Sequence, residues 1–113
     1  MARTRKYSVQ WAGTAQDDLA CIVEYIAEED VTAALSTLAR LEEAARALAT
    51  LPMRGRVVRE LDVFGIQVYR ELVVPPWRIV YRIDGGTVLV LAVVDSRRNL
   101  EDLLLDRFLR PSS

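Results

Sequence analysis

Four charged side chains interrupt the otherwise hydrophobic stretch YRELVVPPWRIVYRI, residues 69–83: Arg70, Glu71, Arg78 and Arg82. A guanidinium presents a planar fork of donors and keeps its charge, so clustered arginines suit phosphate or carboxylate ligands. Arg97 and Arg98 follow soon after, and Arg54, Arg56 and Arg59 precede the stretch with Glu60 beside them. Such a set can grip an anion or stabilise charge developing in a transition state, but arginine stays protonated and cannot readily shuttle protons. Proton transfer works best with a group that titrates near the working pH, and the chain has no histidine. Glu60 and Glu71 remain for that task, although nearby arginines favour the ionised carboxylate. The plainer reading is that Glu60, Glu71 and Asp95 pair with these arginines on a wet surface.

The elements decide where each side chain points. RKYSVQW alternates, with Tyr7, Val9 and Trp11 on one face, and predicts a first strand. In the next segment Ala15, Leu19, Ile22 and Ile26 recur at helical spacing, predicting a helix over 15–27 with Thr14 and Asp17 as a capping box. Asp30 can cap a second helix whose stripe of Val31, Ala34, Leu35, Leu38, Leu41, Ala45 and Leu48 runs until Pro52. The short gap between the two makes an antiparallel hairpin. PMRGRVVREL reads as a basic loop or short strand. Three strands follow over 66–74, 77–83 and 87–95, joined by Pro75-Pro76 and Gly85-Gly86. TVLVLAVVD is apolar on both sides and should be central, with residues 3–10 along its other edge. Leu100, Leu103, Leu104 and Phe108 mark a C-terminal helix. The expected fold is α+β, of order β-α-α-β-β-β-α, a curved antiparallel sheet with a helical hairpin on one face, in one domain spanning 1–113.

Two-residue turns place Val73 opposite Arg78, Glu71 opposite Val80 and Tyr69 opposite Arg82; across the next turn Arg78 meets Val93 and Arg82 meets Leu89. The core face then carries Trp77, Ile79, Tyr81, Ile83, Val88, Val90, Ala92 and Val94, with Arg70 its one charge. Tyr69, Glu71, Arg78, Arg82 and Asp95 fall on the opposite, open face among Val80, Leu89, Leu91 and Val93. On this reading Arg78 and Arg97 are exposed, and replacing either by alanine leaves folding intact.

Composition narrows the class. The chain has 113 residues and a net charge of −1, yet residues 1–50 carry five basic and eight acidic side chains, and residues 51–100 eight and five. The second half looks toward something anionic or an acidic partner. No apolar run approaches membrane length and no cleavable leader is visible. Cys21 has no second thiol or histidine with which to hold a metal, so no metal or other cofactor is expected, and a reducing cytoplasm is the simplest setting.

Four segments in this order, W..TAQDDLACIVEYI, L..LP..GR.V.EL, YRELVVPPWRIVYRI and VLAVVDSRRNLEDLL, resemble the RelE/ParE toxins of bacterial toxin-antitoxin systems over nearly the whole chain. The resemblance implies a growth-inhibiting toxin neutralised by a cognate antitoxin of ParD or RelB type, with operator DNA reached only through that antitoxin. One branch consists of ribosome-dependent messenger-RNA endoribonucleases. For it the resemblance implies Arg78 and Arg97 as phosphate-stabilising residues and Glu60 as a general base, whereas Tyr69 and Glu71 stand where that branch bears lysines. The ParE branch is similar in the helical hairpin and in REL.V...RI.YRI, and implies a non-enzymatic inhibitor that traps DNA gyrase. For such a toxin the target-binding residues are expected to be Tyr69, Glu71, Arg78, Arg82, Arg97 and Arg98. Trp11, Leu100, Leu104 and Phe108 supply apolar surface for the antitoxin to cover.

Overall fold

The β3–β4–β5 meander is set by its two tight turns. Strands β3 (Tyr69–Val74), β4 (Trp77–Asp84) and β5 (Thr87–Asp95) are separated by Pro75-Pro76 and Gly85-Gly86, as the sequence predicts. Gly85 adopts φ 60, a conformation that a side chain disfavours. In this computed structural model, which describes residues 6–97 and residue 107, five strands form one sheet in the order β1-β5-β4-β3-β2. Strand β1 (Ser8–Trp11) lies against β5 as expected, but runs parallel to it, so the sheet is antiparallel everywhere except at this edge. The chain leaves β1 through the helical layer, and a crossover of this kind is what permits a parallel neighbour.

Helices α1 (Gly13–Ala27) and α2 (Val31–Arg46) form the hairpin, and a single 3₁₀ turn, Ala47–Ala49, extends the second. Asp30 caps α2 as its sequence suggests, accepting a hydrogen bond from the Ala33 amide at 3.0 Å. The capping box expected for α1 is absent because Ala12 holds the cap position and Thr14 lies inside the helix. Thr14 instead donates to the Leu91 carbonyl at 3.0 Å, and Asp18 accepts from the Val93 amide at 3.0 Å. These side chains satisfy the edge of β5 just where β1 ends, so backbone groups there are not left bare.

The main core joins Ala15, Leu41, Ala45 and Leu48 of the helical layer to Ile79, Tyr81, Val88, Val90 and Val93 of the sheet. Each large side chain among them contributes about 1.5–3 kcal/mol through burial. Val31 and Leu35, expected on the same stripe, are exposed at the hairpin tip, the end of α2 remote from Leu41, Ala45 and Leu48.

A second, smaller cluster on the other face corrects the expected open surface. Val58 and Leu61 pack on Val80, Ala92 and Val94, with Ile66 and Tyr69 against them. Two short elements bring them there: β2 (Arg56–Val57), the short-strand alternative read for PMRGRVVREL, paired with Glu71 and Arg70 of β3, and the four-residue helix α3 (Arg59–Asp62), which the sequence does not suggest. The register also departs from expectation beyond Val80. Arg82 meets Leu89 as predicted, but the shift between Val80 and Tyr81 inserts Leu91 as an extra residue, and Arg78 meets Val94 instead of Val93. Such a bulge turns every later side chain of β5 to the opposite face. Val93 therefore joins the helix-side core while Ala92 and Val94 lie beneath α3, and Asp95, paired with Trp77, leaves the face assigned to it.

Candidate functional site

Register places Tyr69, Glu71, Arg78 and Arg82 on the face away from the α1/α2 hairpin, as the sequence argument requires. The expected exposure of Arg78 does not hold, because α3 and its flanking residues lie over it and leave the residue 7% exposed. Its Nε donates to Glu71 Oε2 in a short contact. Its two terminal nitrogens donate to the two Glu60 oxygens at 2.7 and 2.8 Å, a fork-to-fork pairing. Arg56 Nε donates to the other Glu71 oxygen at 3.0 Å. The result is a chain of alternating charge, Arg56–Glu71–Arg78–Glu60, in which the Glu71 side chain is fully buried and that of Arg56 remains 60% exposed. The pairing of Glu60 and Glu71 with arginine holds as read from the sequence, but in a buried setting.

This network fixes protonation. Burial raises the Glu60 pKa, yet the Arg78 hydrogen bonds and the Arg78 and Arg56 charges outweigh it, holding the carboxyl below the usual range. Burial likewise disfavours charged Arg78, and its bonds to Glu71 and Glu60 more than compensate, raising its pKa. Glu60 is thus held as an ionised acceptor of two hydrogen bonds, a poor base for a neutral-pH reaction. A depressed native pKa stabilises the fold fully above pH about 4.5, where an unfolded glutamate ionises, and the contribution is lost as pH falls through the lower native value. Glu60→Gln should therefore melt below wild type at pH 7, with the difference shrinking below pH about 4. Thermal melts across pH measure this; a gap that widens in acid contradicts the pairing.

Arg97 lies elsewhere. It is exposed, and its guanidinium and backbone amide bind Asp95 at 2.7–3.0 Å. With Asp95, Asp18, Tyr25, Trp77 and Arg107 it lines a cleft of about 460 Å³ beside α1. Arg107 reaches Asp18 at 2.7 Å across that cleft. Arg78 and Arg97, paired by resemblance as phosphate-stabilising residues, are therefore not brought together: one lies under α3, the other beside α1. Arg82 is half-buried on the Arg78 face. Trp11 is half-buried against the core and lines an apolar groove of about 490 Å³ between α1 and α2, with Leu19, Val23 and Leu38. Arg98, Leu100, Leu104 and Phe108 lie outside the described residues.

The sequence reading missed what anchors the basic loop. Tyr81 reaches from the core so that its hydroxyl donates to the Pro52 carbonyl and accepts from the Gly55 amide, both at 2.8 Å. Burial raises the Tyr81 pKa, only partly offset by the Gly55 bond and the Arg70 charge. Arg70, the one charge expected on the core face, donates to the Gly55 carbonyl at 2.7 Å. Among the described residues every buried side-chain nitrogen or oxygen has a hydrogen-bond partner. No group of three or more metal-ligating side chains occurs among them.

Comparison with known proteins agrees with this architecture. Residues 9–100 match the family model described as the ParE toxin of the type II toxin-antitoxin system parDE. Toxin ParE3 of Caulobacter vibrioides is 33% identical over 70 residues, which cover 62% of this chain and 66% of that protein. Toxin RelE2 of the same organism is 35% identical over 91 residues, 80% of this chain and 96% of that protein. Among solved structures, a chain of the chromosomal ParDE system from P. aeruginosa superposes with a TM-score of 0.67 at 20% identity, covering 80% of this chain and 97% of that one. A chain of the toxin-antitoxin complex RelBE2 from Mycobacterium tuberculosis gives a TM-score of 0.59 at 27% identity, covering 84% and 97%.

Proposed function

The chain belongs to the ParE toxin family of type II toxin-antitoxin systems, and from that premise we propose that it arrests growth in the cytoplasm by binding DNA gyrase, without chemistry of its own, until a ParD- or RelB-like antitoxin sequesters it. The observation that carries the non-enzymatic reading is the closed ion-pair network. Arg78, the arginine best placed by sequence to meet a scissile phosphate, is occupied by two carboxylates, and Glu60 is consumed in holding it. With no histidine in the chain, these residues offer no free acid and base to share a proton transfer. Arg82 and the exposed side chain of Arg56, with Tyr69 on the same face, are contact residues there, and Arg97 joins the contact set from beside α1 with Arg98 next in the sequence.

The antitoxin part of the reading draws on the neighbouring RelBE2 structure, a toxin-antitoxin complex. The groove beside Trp11 offers apolar surface of the kind that an amphipathic segment covers. A specific likeness favours a second reading: Toxin RelE2 matches more of this chain than Toxin ParE3 does. On that alternative the protein is a ribosome-dependent endoribonuclease using Arg78 and Arg97 for charge stabilisation and Glu60 as base, and the network must open when RNA binds.

Two purified assays run side by side separate the readings. Supercoiling and DNA cleavage by gyrase should respond to the toxin in a dose-dependent way, while translation of a defined message, followed by primer extension, should leave the message intact. Codon-specific cleavage with unaffected gyrase would overturn the proposal. Addition of the neighbour-encoded antitoxin should reverse the gyrase effect.

A further inference from the structure

Between Leu51 and Val68 the chain builds the β2 edge of the sheet and leaves much apolar surface in water. Leu51, Met53, Val63, Phe64 and Val68 are each 53–72% exposed, in a segment of one small domain. Arg54, Arg56 and Arg59 are exposed along the same segment. Its carboxylates are engaged: Glu60 is bound by Arg78, and Asp62 accepts from Gln67 Nε2 at 2.7 Å. What the edge offers outward is thus positive charge interleaved with aliphatic and aromatic side chains.

We propose that this edge, residues 51–68, adds the main apolar and basic part of the surface that engages the toxin's target, and that it fits an acidic, partly apolar protein surface. Arginine, methionine and phenylalanine are enriched in protein interfaces, and arginine and aromatic residues dominate their energetics. Exposed aliphatic groups gain by contact with another protein's apolar surface, whereas a phosphodiester backbone offers them little. The edge is also held in place before binding: Tyr81 and Arg70 fasten Gly55, β2 is paired to β3, and Glu60 ties α3 to Arg78. Pre-organisation of this kind removes part of the ordering cost that a flexible loop would incur on association. The arginines select an acidic partner and speed encounter with it.

The inference rests on the proposed function only in taking gyrase as the probe. Two double variants, Arg54→Glu/Arg59→Glu and Val63→Ser/Phe64→Ser, should fold like wild type, since all four side chains are exposed; circular dichroism melts check this. Arg46→Ala, which removes an exposed pair on α2, serves as the control. Each double variant should need roughly 10-fold more protein to inhibit gyrase, and should arrest growth weakly when induced, while still binding the antitoxin. If wild type inhibits gyrase and both variants match it, the surface assignment fails and the proposed function stands. If wild type leaves gyrase untouched, the proposed function fails; growth arrest then decides, with loss of arrest in both variants upholding the edge and full arrest overturning it. Sedimentation of the toxin alone gives a further way to fail. Should the edge instead join copies of this chain, through the acidic hairpin tip of a neighbour, the variants would lose self-association with gyrase inhibition unchanged.

Discussion

Arg78→Ala is expected to lower stability by about 3 kcal/mol, because truncating one member of a buried ion network strands its partners. Glu71 bears most of the loss. Its side chain is fully buried, and without Arg78 it keeps one guanidinium, that of Arg56, which is largely solvated. The melting temperature should fall by roughly 12 °C or more for a chain of this size. Arg78→Met/Glu71→Leu provides the discriminating comparison. Exchanging a buried pair for apolar groups of similar volume is often close to neutral, while Glu60 and Arg56, both partly exposed, can turn to water. The double variant should therefore recover most of the stability while its growth arrest reports whether the charges themselves matter. If Arg78→Ala melted within about 1 °C of wild type, the network would not be buried as described, and the argument against a free cationic site would lose its basis.

The route by which the sequence led to Arg78 shows what was legible and what was not. Pairings of Tyr69 with Arg82, Glu71 with Val80 and Val73 with Arg78 follow from a two-residue turn and alternation, and all three hold. The face of Arg78 was therefore readable, but its burial was not. The cover comes from α3, four residues long, and β2, two residues long. Elements this short complete too little of a helical or strand period to leave a hydrophobic pattern. The bulge at Leu91 was hidden for another reason: TVLVLAVVD is apolar from Val88 to Val94, so no alternation betrays the change of face. Thr14 shows a local signal overridden by tertiary structure. Its position before an apolar run suggests a cap, yet the neighbouring edge of β5 needs a donor, and the hydroxyl goes there.

On the sequence reading, the middle hairpin holds a loose array of arginines facing outward, and Arg54, Arg56 and Arg59 are accessories. In the structure the roles reverse: Arg78 is internal scaffolding, and the arginines of the loop and α3 are presented to solvent on a frame that Arg78 helps to hold. Arg97 stands apart beside α1 with its own carboxylate partner. Sequence marks of the anchoring were present in Gly55 and Tyr81, but they lie 26 positions apart, and nothing local in either says that they touch.

Gly55→Ala tests that frame most directly and should cost about 3 kcal/mol, from overpacking together with lost hydrogen bonds. A Cβ at this position would lie 2.5 Å from the Tyr81 hydroxyl oxygen, 2.6 Å from the Glu71 carbonyl oxygen and 2.7 Å from Tyr81 Cε1. None of these can yield cheaply, since the Tyr81 ring is fully buried in the main core and the Glu71 carbonyl belongs to β3. The loop itself must move, breaking the bonds of its Gly55 amide to Tyr81 and its Gly55 carbonyl to Arg70, and loosening the pairing of β2. Tyr81→Phe separates the clash from the bonds. Alone it should cost about 1–2 kcal/mol for the hydroxyl's two partners. In that background Gly55→Ala should cost less than in wild type, because the nearest obstructing atom is gone; a double-mutant cycle of chemical denaturation midpoints measures the coupling. Strict additivity would mean that Tyr81 does not hold the loop. Growth arrest should fall more steeply than stability in Gly55→Ala, because a displaced loop carries Arg54 and Arg56 away from the surface proposed to meet the target.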